Sequence, residues 1–218
     1  MIKVENIDVY GFEAAIRGMR NPMNSWEKSD TIWGEKREDG LWQYSVPQIG
    51  ENDLKLMKSL VKAGTDHRKF MRMINVTCDV VAPLYWWKEY DTYKVGTVAN
   101  SCSTMHKIAD KEFTLDDFSH EHLCGMSIAA LNHVIDAMNL ERKHYIVTGD
   151  KDCWWQMIQL LPSSYNQRRT GQLNYEVLLN MYHARKDHKL DEWREFCKAI
   201  ETLPYFKEIC LGGEDNAG

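Results

Sequence analysis

The chain has 218 residues, of which 44% are hydrophobic and 27% charged, with a net charge of −5. Negative charge gives no general attraction to nucleic acid or an anionic membrane, and no apolar run approaches the roughly 20 residues that span a bilayer. No signal peptide is predicted, and the six cysteines contain no CxxC motif. We therefore expect a cytoplasmic protein with reduced thiols that binds neither nucleic acid nor membrane.

The first half of the chain predicts helices and strands around one long irregular segment. This segment, 21–50, is rich in Pro, Gly, Asn, Ser and Asp, and a hairpin is predicted at 38–40. The segment 91–107 has no helical period. The remaining predicted elements are a strand over 2–9, a helix over 11–20, an amphipathic helix over 51–63 ended by Gly64, a strand over 70–81 and a helix over 82–90.

The second half is mainly helical. Helices are predicted over 119–140, 151–161, 174–188 and 190–203, and residues 212–218 form a frayed tail. No repeat, low-complexity tract or strong linker divides the chain. The pattern indicates an α+β protein dominated by helices.

The helix predicted over 174–188 carries two polar residues beside an apolar stripe. At about 100° per residue, Asn174 and Arg185 lie about 20° apart around the helix axis. The stripe consists of Val177, Leu178, Met181 and Tyr182. An amide and a guanidinium at the border of a core are costly without polar partners. Asn174 is therefore either a helix cap or a ligand contact, and Arg185 is either salt-bridged or a ligand contact.

This spacing resembles the C-terminal half of the flavin-dependent thymidylate synthases. In that family, Leu-Pro precedes a helix of the form Asn-Ala-Arg-x-Leu-x-Asn-Phe-x-x-x-Arg. The positions that match without a gap are Leu161-Pro162, Asn174, Leu178, Asn180 and Arg185, with Met181 in place of Phe. The resemblance implies that Asn174 and Asn180 contact the flavin, and that Arg185 contacts both the flavin and the pyrimidine of dUMP.

The order of elements upstream is similar to the family as well. Thr65 falls on a Thr that contacts the flavin. Tyr85 falls on the Gln of a Gln-x-x-Arg-His-Arg motif, and Lys88 keeps the charge of its first Arg. Ser103 falls on the Ser of the following loop. Arg168, next to a second arginine, is either an exposed residue or a clamp for a phosphate.

The resemblance implies a fold, an activity and an assembly. The fold is α+β and ThyX-like: one helix-rich thymidylate synthase-complementing domain over 1–218, with a small antiparallel sheet and long helices. The activity is a methyltransferase step of nucleotide biosynthesis, the reductive methylation of dUMP to dTMP with methylenetetrahydrofolate, NADPH and reduced FAD. Arg185 and Ser103 are the candidate catalytic residues of a homotetrameric flavoprotein. The candidate contacts of FAD are Thr65, Asn174, Asn180 and Arg185. The candidate contacts of the nucleotide are Tyr85, Lys88, Ser103 and Arg168.

Several positions depart from the family pattern. Residues with other chemistry replace family side chains at Ile158, Glu176, Glu89, Tyr90 and Met105. They favour an alternative in which the same fold modifies another pyrimidine nucleotide or binds one without turnover. A third hypothesis is a non-catalytic oligomeric scaffold. Because Glu176 replaces a cation, we expect FAD affinity that is weaker than usual in the family, or lost.

A separate pair of residues has spacing typical of zinc ligands. His120 and Cys124 are four residues apart in the helix predicted over 119–140. The alternative is an ordinary helix start, with Ser119 as N-cap and Cys124 in the core. We adopt this alternative and predict no metal.

Overall fold

The computed structural model describes residues 2–34 and 46–212. The chain forms two compact units: unit one comprises 1–3, 79–93 and 99–170, and unit two comprises 4–78, 94–98 and 171–218. No single boundary separates the units along the sequence, and one domain over 1–218 stays a prediction. The predicted hairpin at 38–40 and residues 213–218 of the predicted tail lie outside the described residues.

The sheet contains four strands. In the order in which they pair, they are β1 (Lys3–Tyr10), β2 (Asn75–Pro83), β4 (Asn166–Asn174) and β3 (Val98–Ser101). Buried and half-buried residues alternate along β2, the period expected for a strand. The predicted α+β fold with a small antiparallel sheet is confirmed.

Three strands differ from the prediction. The strand expected over 70–81 begins only at Asn75, because Lys69–Arg72 form a 3₁₀ turn. β4 was not predicted, because its sequence NQRRTGQLN has only one large apolar residue. β3 lies in the segment 91–107, which was expected to be irregular.

Unit one contains α3 (Leu84–Tyr90), α4 (Thr104–Lys107), α5 (Gly125–Thr148) and α6 (Lys151–Leu160). The helix predicted over 119–140 therefore begins and ends later than expected. Ser119 is not its N-cap, since its backbone N–H donates to Ser164 and its hydroxyl lies 2.9 Å from the Asn166 side-chain oxygen. A core that includes Leu131, Ile135, Met138 and Met157 joins α5 to α6.

Unit two contains α1 (Phe12–Arg20), α2 (Glu51–Lys62), α7 (Tyr175–Arg185), α8 (Asp191–Glu201) and α9 (Phe206–Cys210). Tyr175 packs edge-on against Phe12 and Phe206, with ring centroids 6.0 and 5.4 Å apart. Its hydroxyl donates to the carbonyl of Pro204 at 2.6 Å. This cluster fixes the start of α7. Across residues 2–34 and 46–212, none of the helices combines the length and apolar character needed to cross a bilayer.

A buried carboxylate orders the start of the long segment after α1. Asp53 is fully buried and accepts from Arg20 Nε at 2.7 Å and from the hydroxyls of Ser29 and Thr31 at 2.6 Å. Burial alone would raise the pKa of Asp53, but the hydrogen bonds from Ser29, Thr31 and Arg20 outweigh it and hold that pKa below its usual range. The ionised carboxylate therefore ties this segment to α1 and α2.

We expect Asp53→Asn to destabilise the protein by about 3–5 kcal/mol at neutral pH, because it leaves the buried Arg20 guanidinium uncompensated. A carboxyl group with a lowered pKa stabilises the fold above its unfolded pKa of about 3.9, and this contribution is lost as the pH falls through the folded pKa. The gap between the parent and the variant in urea unfolding should therefore narrow below about pH 4. Glu13→Gln, in an exposed pair with Arg17, is the control and should cost less than about 1 kcal/mol. An equal cost for both variants would contradict the prediction.

Candidate functional site

The candidate flavin contact Asn174 is the N-cap of α7. Its side-chain oxygen accepts from the backbone N–H of Val177 at 3.0 Å, while its own backbone is extended. The helix-cap interpretation is confirmed, and the helix spans Tyr175–Arg185 instead of 174–188. Capping uses the oxygen of the amide and leaves its two N–H groups for other contacts.

Gly96 lies directly against this cap. Its φ is +75°, and a Cβ at this position would be 3.0 Å from Nδ2 of Asn174 and 2.9 Å from a methyl of Val177. Both the backbone conformation and the available space therefore require glycine. The segment 94–98 reaches the start of α7 only because residue 96 has no side chain.

Glu176, the charge reversal of the family pattern, is compensated inside unit two. It is 5% exposed, and Arg68 Nε donates to its Oε1 at 3.1 Å and lies 3.0 Å from its Oε2. Arg68 also donates through Nη2 to the side-chain oxygen of Asn180 at 3.2 Å. The Arg68 guanidinium therefore lies between Glu176, which replaces an Arg of the family helix, and Asn180, which matches its second Asn. Arg68 itself comes from a different part of the chain.

The loop 64–68 positions this guanidinium. Gly64, in a left-handed conformation with φ +98°, follows α2, and its carbonyl accepts from the N–H groups of His67 and Arg68 at 3.0 and 3.1 Å. The same turn leaves Thr65, the other candidate flavin contact, exposed. Residues 67–69 are a run of basic side chains typical of a solvated surface, but Arg68 is half-buried and pairs with Glu176. Glu176 at the border of an apolar face was the signal that a cation had to be near.

Arg185 lies at the other end of α7 and is half-buried. Its guanidinium carbon lies 4.8 Å from the ring centroid of Trp193, and Nη1 is 3.1 Å from Nε2 of His188. Trp193 is completely buried in α8, so the stacking surface is fixed. Stacking on a rigid ring restricts the orientations of the guanidinium, so that it can bind a planar ligand group through parallel N–H groups. Trp193 had not been identified from the sequence as part of this site.

In unit one, the segment that resembles Gln-x-x-Arg-His-Arg forms α3. Tyr85 is half-buried and Lys88 is exposed. Tyr90, at the position of the last Arg, is 4% exposed and packs against Trp86 and Trp87 with ring centroids 5.3 and 5.0 Å apart. A position that is charged in the family is therefore part of an aromatic core in this protein.

Ser103 is also a helix cap. Its hydroxyl oxygen accepts from the N–H of His106 at 3.0 Å and starts the short α4. Met105, which replaces the Arg of the family loop, uses its carbonyl to accept from Trp154 Nε1 at 3.1 Å. Ile158, at another family Arg position, packs against the core of unit one. These two positions therefore contribute structural contacts in this protein.

Arg168 and Arg169 both pair with carboxylates of unit one. Arg168 Nη2 lies 2.7 Å from Asp79, which also accepts from the Thr170 hydroxyl. Arg169 pairs with Asp91 at 2.7 Å, and its guanidinium carbon lies 4.2 Å from the ring centroid of Trp87. A phosphate at Arg168 would share this guanidinium with Asp79.

The helix expected to carry His120 and Cys124 is not formed at these residues. α5 begins at Gly125, with Cys124 as its N-cap residue, so the two side chains do not share a helical face. Nδ1 of His120 lies 2.8 Å from the carbonyl of Phe118. Cys124 is exposed and does not lie in the core. Both sequence interpretations of this segment assumed the wrong helix start.

The candidate residues fall into two groups, according to the unit that contains them. Unit two holds Thr65, Asn174, Asn180 and Arg185, and unit one holds Tyr85, Lys88, Ser103 and Arg168. Within unit two, Asn180 shares Arg68 with Glu176, while Asn174 and Arg185 lie at opposite ends of α7.

Over almost its whole length, the chain matches the fold of flavin-dependent thymidylate synthases. A solved structure of flavin-dependent thymidylate synthase ThyX from Helicobacter pylori, complexed with FAD and dUMP, matches 96% of this chain and 98% of its own length, with a TM-score of 0.67 and 14% identity. A second Helicobacter pylori ThyX structure with FAD and dUMP matches 97% and 98%, with the same TM-score and identity. No model of a known protein family matches the sequence, and no curated protein does. The likeness is one of fold.

We expect Arg68→Met to destabilise the protein by about 3–5 kcal/mol, because it leaves Glu176 buried without its cation. The double variant Arg68→Met, Glu176→Gln should recover a large part of this loss in urea unfolding. The control Lys69→Met changes the neighbouring exposed cation and should cost less than about 0.5 kcal/mol. Additive losses in the double variant would mean that Arg68 and Glu176 do not stabilise each other.

Proposed function

We propose that the protein is an FAD-dependent enzyme that resembles flavin-dependent thymidylate synthase and converts dUMP to dTMP. The observation that carries this proposal is the fold match over nearly the whole chain to proteins solved with FAD and dUMP. Four matched positions, at the end of β4 and along α7, support it: Asn174, Leu178, Asn180 and Arg185. Methylenetetrahydrofolate, NADPH and a cytoplasmic location belong to the same proposal.

The polar residues of unit two suit a dinucleotide cofactor. Thr65 and Asn180 are exposed, Asn174 keeps its N–H groups after capping, and Arg68 supplies a cation beside Asn180. Hydroxyl, amide and guanidinium donors are the groups that bind a flavin ring and a pyrophosphate. When bound, reduced FAD supplies the hydride that turns a methylene carried by methylenetetrahydrofolate into the methyl group of dTMP.

Glu176 affects this cofactor less than its charge alone suggests. Its carboxylate is buried and already paired with Arg68. A compensated pair has a weak field at the distance of a bound phosphate, so the expected repulsion of FAD is small. The proposal therefore includes FAD binding at this face, where the Arg68–Glu176 pair carries no net charge in place of the cation that the family has on α7.

Arg185 is the residue that we assign to the pyrimidine of dUMP. Its guanidinium lies over Trp193, which limits its orientations and lowers the entropy lost on binding. Two parallel N–H groups can donate to a carbonyl oxygen of the base and stabilise negative charge that develops on the ring. Ser103 and Lys88 are the proposed phosphate contacts in unit one, together with Arg168 and Tyr85.

A second candidate function is nucleotide binding with altered chemistry. Two positions that are Arg in the family favour it, because in this protein they hold residues that pack. Tyr90 lies in an aromatic core, and Ile158 of α6 packs against the core of unit one. A protein with fewer cations binds the nucleotide phosphate more weakly, or binds another pyrimidine nucleotide. A scaffold without ligand is the third hypothesis.

The proposal is tested with the purified protein, FAD, dUMP, methylenetetrahydrofolate and NADPH. We expect flavin absorbance, dTMP formation and rescue of a thymidine auxotroph. Arg185→Ala should lose roughly 1.5–3 kcal/mol of dUMP affinity, the scale of a charged hydrogen bond, and should keep the far-ultraviolet circular dichroism of the parent. Arg17→Ala, an exposed residue of α1, is the matched control.

Three results separate the hypotheses. Binding of dUMP without dTMP formation or rescue would favour the second candidate. Failure to bind either flavin or nucleotide would leave the scaffold. If Arg185→Ala bound dUMP as the parent does, the assignment of α7 to the pyrimidine would be wrong.

The homotetramer is part of the proposal, and an exposed stripe on α5 supports it. The α5 stripe is defined by residues at alternating spacings of four and three: Met126, Ala130, His133, Ala137 and Leu140. Met126 is 86% and Leu140 is 53% exposed. This spacing is typical of a helix that packs against a second helix, so the stripe suits self-association.

We expect the parent to behave as a tetramer in light scattering, and Leu140→Glu to shift it to smaller species, because the charge would be buried in the proposed interface. Met23→Glu is the control, since Met23 is an exposed apolar residue outside α5. A parent protein of 25.5 kDa in solution would rule out the tetramer.

A further inference from the structure

One group of side chains in unit one has no part in the proposed reaction. Glu141 and His144 are three residues apart on α5, and Cys153 lies in the first turn of α6. One ligand atom from each residue lies within 4.8 Å of the other two. Among the described residues, this is the group whose carboxylate, imidazole and thiol are close enough to share a metal ion.

The connection between α5 and α6 creates this juxtaposition. Gly149, with φ +70°, ends α5 and donates its N–H to the carbonyl of Tyr145 at 2.8 Å. Asp150 then caps α6 by accepting from the N–H of Asp152 at 2.9 Å. The two-residue turn brings the last turns of α5 beside the first turn of α6, and the packed core of unit one fixes the pair.

We propose that Glu141, His144 and Cys153 form a zinc-binding site that joins α5 to α6. The donor set contains one oxygen, one nitrogen and one sulfur. Zinc, a borderline-soft cation, accepts all three, whereas magnesium and calcium need oxygen ligands and copper(I) prefers sulfur. Three protein ligands leave a fourth position for water or another ligand.

The geometry requires only small side-chain movements. Ligand atoms around tetrahedral zinc lie about 3.5 Å apart, so the present spread has to contract by roughly 1 Å. Glu141 and Cys153 are half-buried and His144 is exposed, so rotation of side chains suffices. The fixed parts of the site are the two helices, whose mutual position does not have to change.

The surrounding charge favours a cation. Glu141 is itself a ligand of the proposed site, and Asp150 and Asp152 precede Cys153 at the start of α6. The basic residues that follow Glu141 on α5 have other partners: Arg142 donates to the carbonyl of Ala109 at 2.8 Å, and Lys143 lies 4.0 Å from Glu112. A divalent cation would compensate the carboxylates and displace the thiol proton.

The site differs from the pair that the sequence suggested. The sequence prediction of no metal was based on His120 and Cys124, and these two side chains do not share a helical face. Glu141 and His144 have an i, i+3 spacing that places two ligands on one helical face, but Cys153 joins them only through the α5–α6 turn. The inference is independent of the proposed thymidylate synthase activity.

Cobalt(II) is the probe for this site, because cobalt–thiolate ligation gives a charge-transfer band in the near ultraviolet. Full-length protein is treated with chelator, kept reduced with a phosphine and titrated with cobalt(II). We expect one equivalent per chain to bind with this band, and zinc to displace it. Cys153→Ser should abolish the band, and Cys153→Ser and His144→Ala should each weaken binding at least about tenfold.

Two matched controls make the result specific. Cys124→Ser removes an exposed thiol of unit one, and His122→Ala removes another exposed imidazole of unit one. Both should leave the cobalt spectrum and affinity unchanged. The proposal is overturned if the parent shows no saturable cobalt binding, if the band survives in Cys153→Ser, or if Cys124→Ser removes it equally.

A second measurement remains informative if a variant folds poorly. Zinc that bridges α5 and α6 should raise the thermal midpoint of the parent. This increase should be absent in His144→Ala. Because His144 is exposed, its replacement by alanine removes the ligand without loss of core packing. An equal increase in parent and variant would mean that zinc binds elsewhere.

Discussion

Unit two depends on the compensation of two buried carboxylates. Asp53 and Glu176 are 0% and 5% exposed, and each is paired with an arginine from a distant part of the chain. An isolated charge at such depth would cost several kcal/mol. The two arginines are therefore fixed in place, and the turn 64–68, which carries Arg68, is ordered with them. Ser29 and Thr31 order the residues that follow α1 through their own hydrogen bonds to Asp53.

In the candidate site, the guanidinium near α7 comes from another part of the chain than in the family pattern. The family pattern has an arginine where this chain has Glu176, and Arg68 brings a guanidinium to that carboxylate from the turn after α2. A guanidinium is thus kept near the α7 face, but Glu176 neutralises its charge. At Tyr90 and Ile158 the outcome differs, because aromatic and aliphatic packing replaces the family's cations. The proposed flavin contacts of unit two therefore keep more of the family's residues than the proposed phosphate contacts of unit one.

The sequence was sufficient for elements whose signal is local. Apolar periodicity gave α2 and α6 within about two residues. β4 was missed because strand pairing, and not its own polar sequence, holds it in the sheet. The start of α5 was placed too early because the polar segment before Gly125 continues the helical period without adopting a helix.

The candidate site shows the same division between local and distant signals. The cap formed by Asn174 is local and could be predicted from its position before an apolar stripe. The Arg68–Glu176 pair and the approach of Gly96 to the cap join residues that are distant in the chain. Glu141, His144 and Cys153 likewise depend on where α5 ends. Contacts of this kind follow from the fold, which one sequence without its relatives does not specify.

The two ends of the Asn174 amide have different uses: its oxygen caps the helix, and its N–H groups are the part that could contact a ligand. Serine, threonine and aspartate cap helices about as well as asparagine, because capping needs only an oxygen that accepts from the backbone. Asparagine alone among these residues adds N–H groups that can donate to the carbonyl or ring nitrogen of a ligand. In this protein, these N–H groups lie against Gly96, where a larger residue would collide with them. The glycine is therefore required by its backbone conformation and by the packing of segment 94–98 on the cap, whatever else the amide contacts.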